Sequence, residues 1–457
     1  MVFKTYYLGC LAHASYLIGG SNGEAAVIDP RRDVEEYVSD AETAGLRIRH
    51  VIETHLHADF VSGHVELARR TGATICMGPD SGAKFGHRAM RDGDCISLGD
   101  VTLRFLETPG HTPESITVVV EPSDQSEAGE PIRLLTGDTL FIGDVGRPDL
   151  AGGRGYTPVE MARQLYHSLS AKILRLPESA EVWPAHGAGS SCGKALSDER
   201  STTLARQKAE NPALQLVLRG DEEGFVRYAT DGLGMAPTYF SFDARKNQEG
   251  AASIEEILAA AKPLQPAEVE EMAEEGVVVL DTRSVSDFGA GHIPGAIHIQ
   301  LDGKFAPWVG TLMSPDEPLM VVAYDHKQKE AVTRLARIGY ERIAGWLEGG
   351  MGAWRAAGGE MAVTPQVDPA SVRNALAESG PPTILDVRTP GEWEAGHIDG
   401  AVNIPLNQLP DRLDEVPGGP LVVLCGSGYR SSIACSLLQR VGRREVSNIK
   451  GGWEALG

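Results

Sequence analysis

The sequence predicts a multidomain α/β protein, and three observations lead there. The chain has 457 residues, too many for one hydrophobic core and enough for two to four domains. Its first half alternates β-branched runs with helix-spaced stretches. Its second half holds an internal repeat: LDTRSVSDFGAGHIPGAIHIQL (280–301) and LDVRTPGEWEAGHIDGAVNIPL (385–406) share 11 of 22 residues.

The elements follow in order. EAAVIDP (24–30) reads as a strand entering a turn, and DVEEYVSDAETAG (33–45) as a helix closed by glycine. HVIETH (50–55), TLRFLETPGH (102–111), SITVVVEP (115–122), IRLLTGD (132–138) and EVWPAHG (181–187) read as strands running into polar loops. Four of them end in His or Asp, and loops held by a rigid sheet are where catalytic groups collect. KNQEGAAS (246–253) reads as a polar linker. Each repeat continues with an apolar strand, MVVAY (320–324) or LVVLC (421–425), then a helical stretch and a Gly-Gly pair near a Trp. A copy of about 100 residues is a domain rather than a solenoid unit. MAVTPQVDPAS (361–371) separates the copies. The expected domains are 1–245, 254–360 and 366–457.

A formal net charge of −21 disfavours nucleic acid and anionic membranes as partners. The six cysteines (10, 76, 95, 192, 425 and 435) form no CxxC pair, which suggests reduced thiols in a cytoplasmic protein. The first twenty residues are too broken for a signal segment, and no run approaches the roughly 20 apolar residues of a membrane span. A homo-oligomer stays open.

THLHADFVSGH (54–64) delivers His55, His57 and Asp59 within five residues of a strand end. With His111, Asp138 and His186 they form a set of nitrogen and oxygen donors suited to a divalent transition metal. His64 reads as structural, and isolated histidines such as His13 read as core or surface residues. Phe60 follows Asp59 where a further ligand could stand.

HLHAD (55–59), TPGHTPES (108–115), TGDTLF (136–141) and PAHG (184–187) together resemble the metallo-β-lactamase superfamily over residues 1 to about 240. That resemblance implies an αββα sandwich with the site at one edge of its sheets. In the superfamily's binuclear hydrolases, such as glyoxalase II, one metal would be held by His55, His57, His111 and Asp138. The second would need Asp59, a His at position 60, His186 and a shared Asp138. Phe60 cannot ligate, so the second site loses a donor.

GDTLFIGDVGRPDL (137–150) is more similar to the persulfide dioxygenases of that superfamily. This implies one Fe(II) per chain, with zinc or another divalent metal as the alternative, on His55, His111 and Asp138. His57, Asp59 and His186 become outer groups or remnants of a second site, and Arg147 becomes the anchor for an anionic thiol carrier. A structural salt bridge is the other reading of Arg147. The pocket Tyr usual shortly after the PAH motif is missing, since Ala188 stands there.

LVVLCGSGYRSSIACSLLQRVG (421–442) reads as a buried strand, a tight loop and a helix starting near Ser431. Small residues let backbone N–H groups turn inward around Cys425, and Arg430 adds positive charge, so thiolate is favoured over thiol. The run C-x-x-G-x-R is similar to the rhodanese family over about 366–457. It implies a catalytic pair, Cys425 and Arg430, with Gly426, Ser427, Gly428 and Tyr429 as the cradle. In the first repeat Tyr324 falls where Cys425 falls, and DHKQKE replaces the glycine loop, so that copy is expected to lack sulfurtransferase activity. Asp281/Arg283, Asp386/Arg388, His292 and His397 recur in both copies and read as structural.

The combined expectation is a sulfur-metabolism enzyme with a role in sulfide detoxification. It would oxidise a low-molecular-weight thiol persulfide with O2 to sulfite and thiol. It would also transfer sulfane sulfur through Cys425, with thiosulfate as a possible product. A binuclear zinc thioester hydrolase and a non-enzymatic sulfur carrier or scaffold are the alternatives.

Overall fold

Alternation in the strands decides which face each buries. In Val101–Glu107 and Ile116–Pro122, Val101, Leu103, Phe105, Ile116, Val118 and Val120 point one way, and Val119 and Leu106 the other. That period of two gives each sheet one face for its partner sheet and one for helices. The computed structural model describes residues 1–123, 130–234, 236–377 and 381–456.

The first unit covers Met1–Ile254 with Ala336–Gly339. One six-stranded sheet runs in chain order through Val2–Leu8, His13–Gly19, Glu24–Ile28, Arg47–Ile52, Thr74–Met77 and Arg88–Ala89. A second six-stranded sheet orders Thr202–Thr203, Glu181–Pro184, Arg133–Gly137, Ile116–Pro122, Val101–Glu107 and Cys95–Ser97. Tyr16, Ile18, Ile28 and Ile52 of the first sheet share one core with Phe105, Val118 and Leu135 of the second. Outside the first sheet, Tyr37, Ala41 and Leu67 of helices Glu35–Thr43 and His64–Thr71 pack on Val27 and Val51. Outside the second, Leu165 and Leu169 of Pro158–Ala171 pack with Leu214 and Phe225. This is the expected αββα layering.

The unit extends past the expected boundary at 245. Helix Phe240–Glu249 carries the first half, 246–249, of the stretch that reads as a linker, and Asn247 in it is buried. Its Nδ2 donates to the carbonyls of His57 (2.7 Å) and Phe60 (2.8 Å), and its Oδ1 accepts from Ser62 N–H (2.8 Å). A polar composition hid an element whose polar groups are satisfied inward.

The second unit covers Glu255–Leu335 and Tyr340–Gly457, both repeats together. Each repeat builds a five-stranded parallel sheet of the same order. The first runs Lys262–Leu264, Ile343–Leu347, Leu319–Val322, Val278–Asp281, Ile297–His298. The second runs Gln366–Val367, Val446–Ile449, Leu421–Leu424, Thr383–Asp386, Val402–Asn403. Arg283 grips Asp281 and the Gly291 carbonyl, and Arg388 grips Asp386 and the Gly396 carbonyl. His292 stacks on Phe288 and His397 on Trp393, each ring bonded to the carbonyl four residues back. The shared residues therefore close the same loop in both copies, whether or not a cysteine is present. Among the described residues no helix is long and apolar enough to cross a membrane.

Candidate functional site

His55, His111 and Asp138 converge from the ends of three strand-to-loop junctions in the first unit, all buried. His111 Nε2 lies 3.4 Å and His55 Nε2 3.7 Å from Asp138 Oδ2. Both rings are aimed from behind. His111 Nδ1 donates to the Arg147 carbonyl (2.9 Å), which leaves Nε2 with its lone pair facing inward. His55 Nδ1 meets Thr54 Oγ1 (3.0 Å), which in turn donates to Asp29 Oδ2 (2.8 Å). Such outer partners fix tautomer and ring angle around metal-binding histidines. Gly146 is required beside them, because a Cβ there would fall 2.0 Å from the Asp138 carbonyl and 2.9 Å from His111 Nδ1.

Electrostatics separates the roles. Burial raises the cost of charge on Asp138, yet His186, His55 and His111 outweigh it and hold its pKa well below the usual range. Burial pushes His55 and His111 down, so their rings are neutral donors of a lone pair. His186 is opposite. Burial opposes its charge, but Asp138 and Asp59 on either side raise its pKa well above normal. Its Nδ1 sits 2.8 Å from Asp138 Oδ1 and its Nε2 3.0 Å from Asp59 Oδ2.

The His57 ring lies 4.1 Å from that of His55, and its Nδ1 is buried without a hydrogen-bond partner. Its Nε2 is 3.3 Å from Asp29 Oδ1 and 3.6 Å from Glu53 Oε2. Phe60 is buried between the His13 and His57 rings, with centroids 4.1 and 4.4 Å away. An apolar ring thus fills the space where a further donor would stand. His57, Asp59 and His186 still form a second buried cluster of three possible ligands.

Sequence reasoning missed four residues here. His13 abuts the site because its strand bridges to His186. Asp29 and Glu53 close the far side. Cys192, six residues after His186, joins Asp138 and His186 in a third candidate cluster. Its only local signal was a Gly/Ser-rich run, which reads equally as a loop. Burial, with Asp59 and Asp138 nearby, pushes the Cys192 thiol up, so it stays protonated.

Arg147 makes its bonds within the chain. It is buried, pairs both edges of Asp149 (2.6 and 2.8 Å), and donates to the Ser191 and Gly234 carbonyls. Its charge and planar fork are satisfied within the chain. A cavity of about 560 Å³ beside the site is lined instead by Leu56, Ala58, Thr112, Arg154, Phe240 and Arg245, among others.

In the second unit Cys425 is buried at a strand end and faces the start of helix Tyr429–Arg440. Its Sγ accepts from Gly428 N–H (3.1 Å) and Ser431 Oγ–H (3.2 Å). Gly428 has φ of +92°, which lets its N–H turn inward. Gly452 passes beneath the loop, where a Cβ would fall 2.4 Å from the Cys425 carbonyl. Ser427 is exposed at the loop tip, Gly426 is half-buried, and Tyr429 Oη points to the Gln300 carbonyl (3.3 Å). Arg430 is not free. Both its terminal nitrogens bind Glu392, at 2.7 and 2.6 Å. In the first repeat Tyr324 Oη accepts from Ser284 N–H (2.9 Å) and bonds Asp287, so no cradle forms.

A family profile described as the metallo-beta-lactamase superfamily matches residues 8–186, and one described as a rhodanese-like domain matches 265–357 and 368–457. The chain belongs to the metallo-beta-lactamase superfamily. In it, that domain is followed by two rhodanese-like domains. A probable metallo-hydrolase of Burkholderia pseudomallei (strain 1710b) is 31% identical over 251 residues, 48% of this chain and 82% of that protein. The mitochondrial persulfide dioxygenase of Homo sapiens is 35% identical over 177 residues, 38% of this chain. The match spans 63% of that dioxygenase, under two thirds of its length. The solved structure of a metallo-beta-lactamase from Staphylococcus aureus subsp. aureus COL has a TM-score of 0.67 and 32% identity. It covers 76% of this chain and 98% of its own.

The residues fit a divalent metal. His55 Nε2 is buried without a hydrogen-bond partner, as a lone pair kept for an ion would be. Two His and one carboxylate are a common donor set for such ions.

Proposed function

We propose that the N-terminal domain oxidises a low-molecular-weight thiol persulfide, RSSH + O2 + H2O → RSH + SO3²⁻ + 2H⁺. The C-terminal domain then moves sulfane sulfur through Cys425. The observation that carries this is one aimed His-His-Asp set of donors; Phe60, where a second metal needs a donor, counts against the binuclear hydrolase rather than for iron. The persulfide dioxygenase relative and the two rhodanese-like domains point to the same substrate class.

His55, His111 and Asp138 would hold one Fe(II), which supplies the redox chemistry that zinc lacks. Thr54 and the Arg147 carbonyl keep both rings aimed. His186, held charged between two carboxylates, keeps a proton beside Asp138. Leu56, Ala58 and Phe240 make an apolar wall for the carrier; Arg154 there is paired with Glu114 and Asp149 with Arg147, so Arg245 is the cation on offer to an anionic carrier. This suits a carboxylate-bearing thiol such as a small peptide. At the second centre, Gly428 N–H and Ser431 Oγ–H stabilise the Cys425 sulfur. Sulfite attack on the outer sulfur of a Cys425 persulfide breaks the S–S bond, releasing thiosulfate and the thiolate.

The test is O2 uptake by Fe(II)-loaded protein on adding glutathione persulfide, with sulfite trapped in the same sample. Uptake with matching sulfite, lost in His111→Ala, supports the reading. No uptake with any small thiol persulfide refutes it. The His57–Asp59–His186 cluster and the metallo-hydrolase relative favour the second reading, a zinc thioester hydrolase. That enzyme would carry two zinc per chain and turn over thioester without O2.

A further inference from the structure

The repeat that lacks the cysteine makes a set of bonds its twin does not. Position 298, on the edge strand Ile297–His298, corresponds to Asn403 of the second repeat. Asn403 bonds inward, its Nδ2 donating to the Asp386 and Arg388 carbonyls. His298 keeps the inward bond: its Nε2 donates to the Arg283 carbonyl (2.9 Å). A carbonyl can only accept, so the hydrogen sits on Nε2 and Nδ1 is left as an acceptor. Ser432 Oγ–H of the Cys425-bearing repeat fills it at 2.9 Å. Burial pushes the His298 pKa down to about 4, so the ring stays a neutral acceptor.

This strand and the residues just after it make further contacts on helix Tyr429–Arg440. His298 N–H donates to Ser436 Oγ (3.0 Å), and the Gln300 carbonyl accepts from Tyr429 Oη (3.3 Å). Tyr429, Ser432 and Ser436, spaced three and four apart, share one face of helix Tyr429–Arg440. Counting from Tyr324 and Cys425, the first repeat has Ala331 and Leu335 where the second has Ser432 and Ser436. Each repeat has thus departed from its twin at the positions where the two meet. The other end of this first turn holds the sulfur, through Gly428 N–H and Ser431 Oγ–H.

We propose that the Cys-less repeat is a brace for the sulfur-transfer site, with His298 a positioning residue that acts through Ser432 and Ser436 on the helix cradling Cys425. This rests on the reading of Cys425 as the transfer nucleophile. It accounts for the first repeat keeping its fold without a nucleophile: its edge strand supplies the acceptor and donor that two buried serines need.

The test uses full-length His298→Asn and Ser432→Ala. His298→Asn can retain the inward bond, as Asn403 does, while removing the acceptor for Ser432. Arg430, Glu392, Asp386, Arg388, Glu454 and Cys435, the charged and titratable groups around Cys425, are unchanged in both. Thiosulfate sulfurtransferase kcat falls about three- to tenfold in each, the size of one lost buried hydrogen bond, with KM little changed. The pH profile of Cys425 alkylation, followed by peptide mass spectrometry, moves to higher pH. The double variant is no worse than either alone, because one interaction is removed in all three. Ser432→Thr, which keeps the hydroxyl, stays near the parent protein. Unchanged kcat and alkylation profiles in both single variants overturn the brace. If the parent protein takes no sulfur from thiosulfate, the transfer reading falls, while the alkylation profiles still decide the brace.

Discussion

Thr54→Val tests how the metal centre is aimed. Valine keeps the shape and removes one oxygen, which now links His55 Nδ1 (3.0 Å) to Asp29 Oδ2 (2.8 Å), all buried. The backbone bond from residue 54 to Asp29 Oδ1 (2.7 Å) survives. Two hydrogen bonds are lost, one of them to a carboxylate, and both leave buried groups unpaired. The expected cost is about 2–4 kcal/mol in stability. The His55 ring also loses what sets its tautomer, and outer partners of this kind are worth about 10–100-fold in metal affinity. Competition against a chelator reads the affinity, and thermal unfolding of the metal-free protein reads the stability. Thr54→Ser retains both values. If Thr54→Val binds metal as tightly as the parent protein, the outer bonds do not aim His55 and the argument fails.

Other outcomes follow from the same geometry. Phe60→His returns a donor next to His57, Asp59 and His186 and raises bound metal from one toward two per chain by elemental analysis; an unchanged ratio rejects Phe60 as the excluding group. Cys425→Ser keeps O2-dependent persulfide oxidation and loses sulfur transfer, and loss of both activities contradicts separate centres. Glu392→Gln frees Arg430 for anionic donors and lowers KM for thiosulfate several-fold, read by steady-state kinetics. Arg430 holds the Glu392 carboxyl down at about 2. The pair is therefore complete above the ordinary carboxyl value and fades only as pH falls from there toward 2. The Glu392→Gln effect should be the same at pH 6 and pH 9, and a change across that range points to another group.

Much of the architecture is legible along the chain because it depends on short-range pattern. Alternation in TLRFLETPGH and SITVVVEP marks strands, and the 22-residue repeat marks two like domains whose sheets have one order. HLHAD places donors at a strand end, and C-x-x-G-x-R places small residues where N–H groups must turn toward sulfur. These features are local, fixed by backbone geometry over a few residues. Pairings across the fold have no such trace. Asn247 looks like linker and is the buried support of the His57–Phe60 loop. Arg147 looks like a substrate anchor and is matched to Asp149, while Arg430 looks free and meets Glu392. His13 and Cys192 look incidental until the layers bring them beside His186 and Asp138. A charged or polar side chain takes whichever partner the packed layers put within about 3 Å. Residue type and spacing therefore set which chemistry is possible here, and the tertiary structure alone decided which groups are already matched within the chain and which remain for metal and substrate.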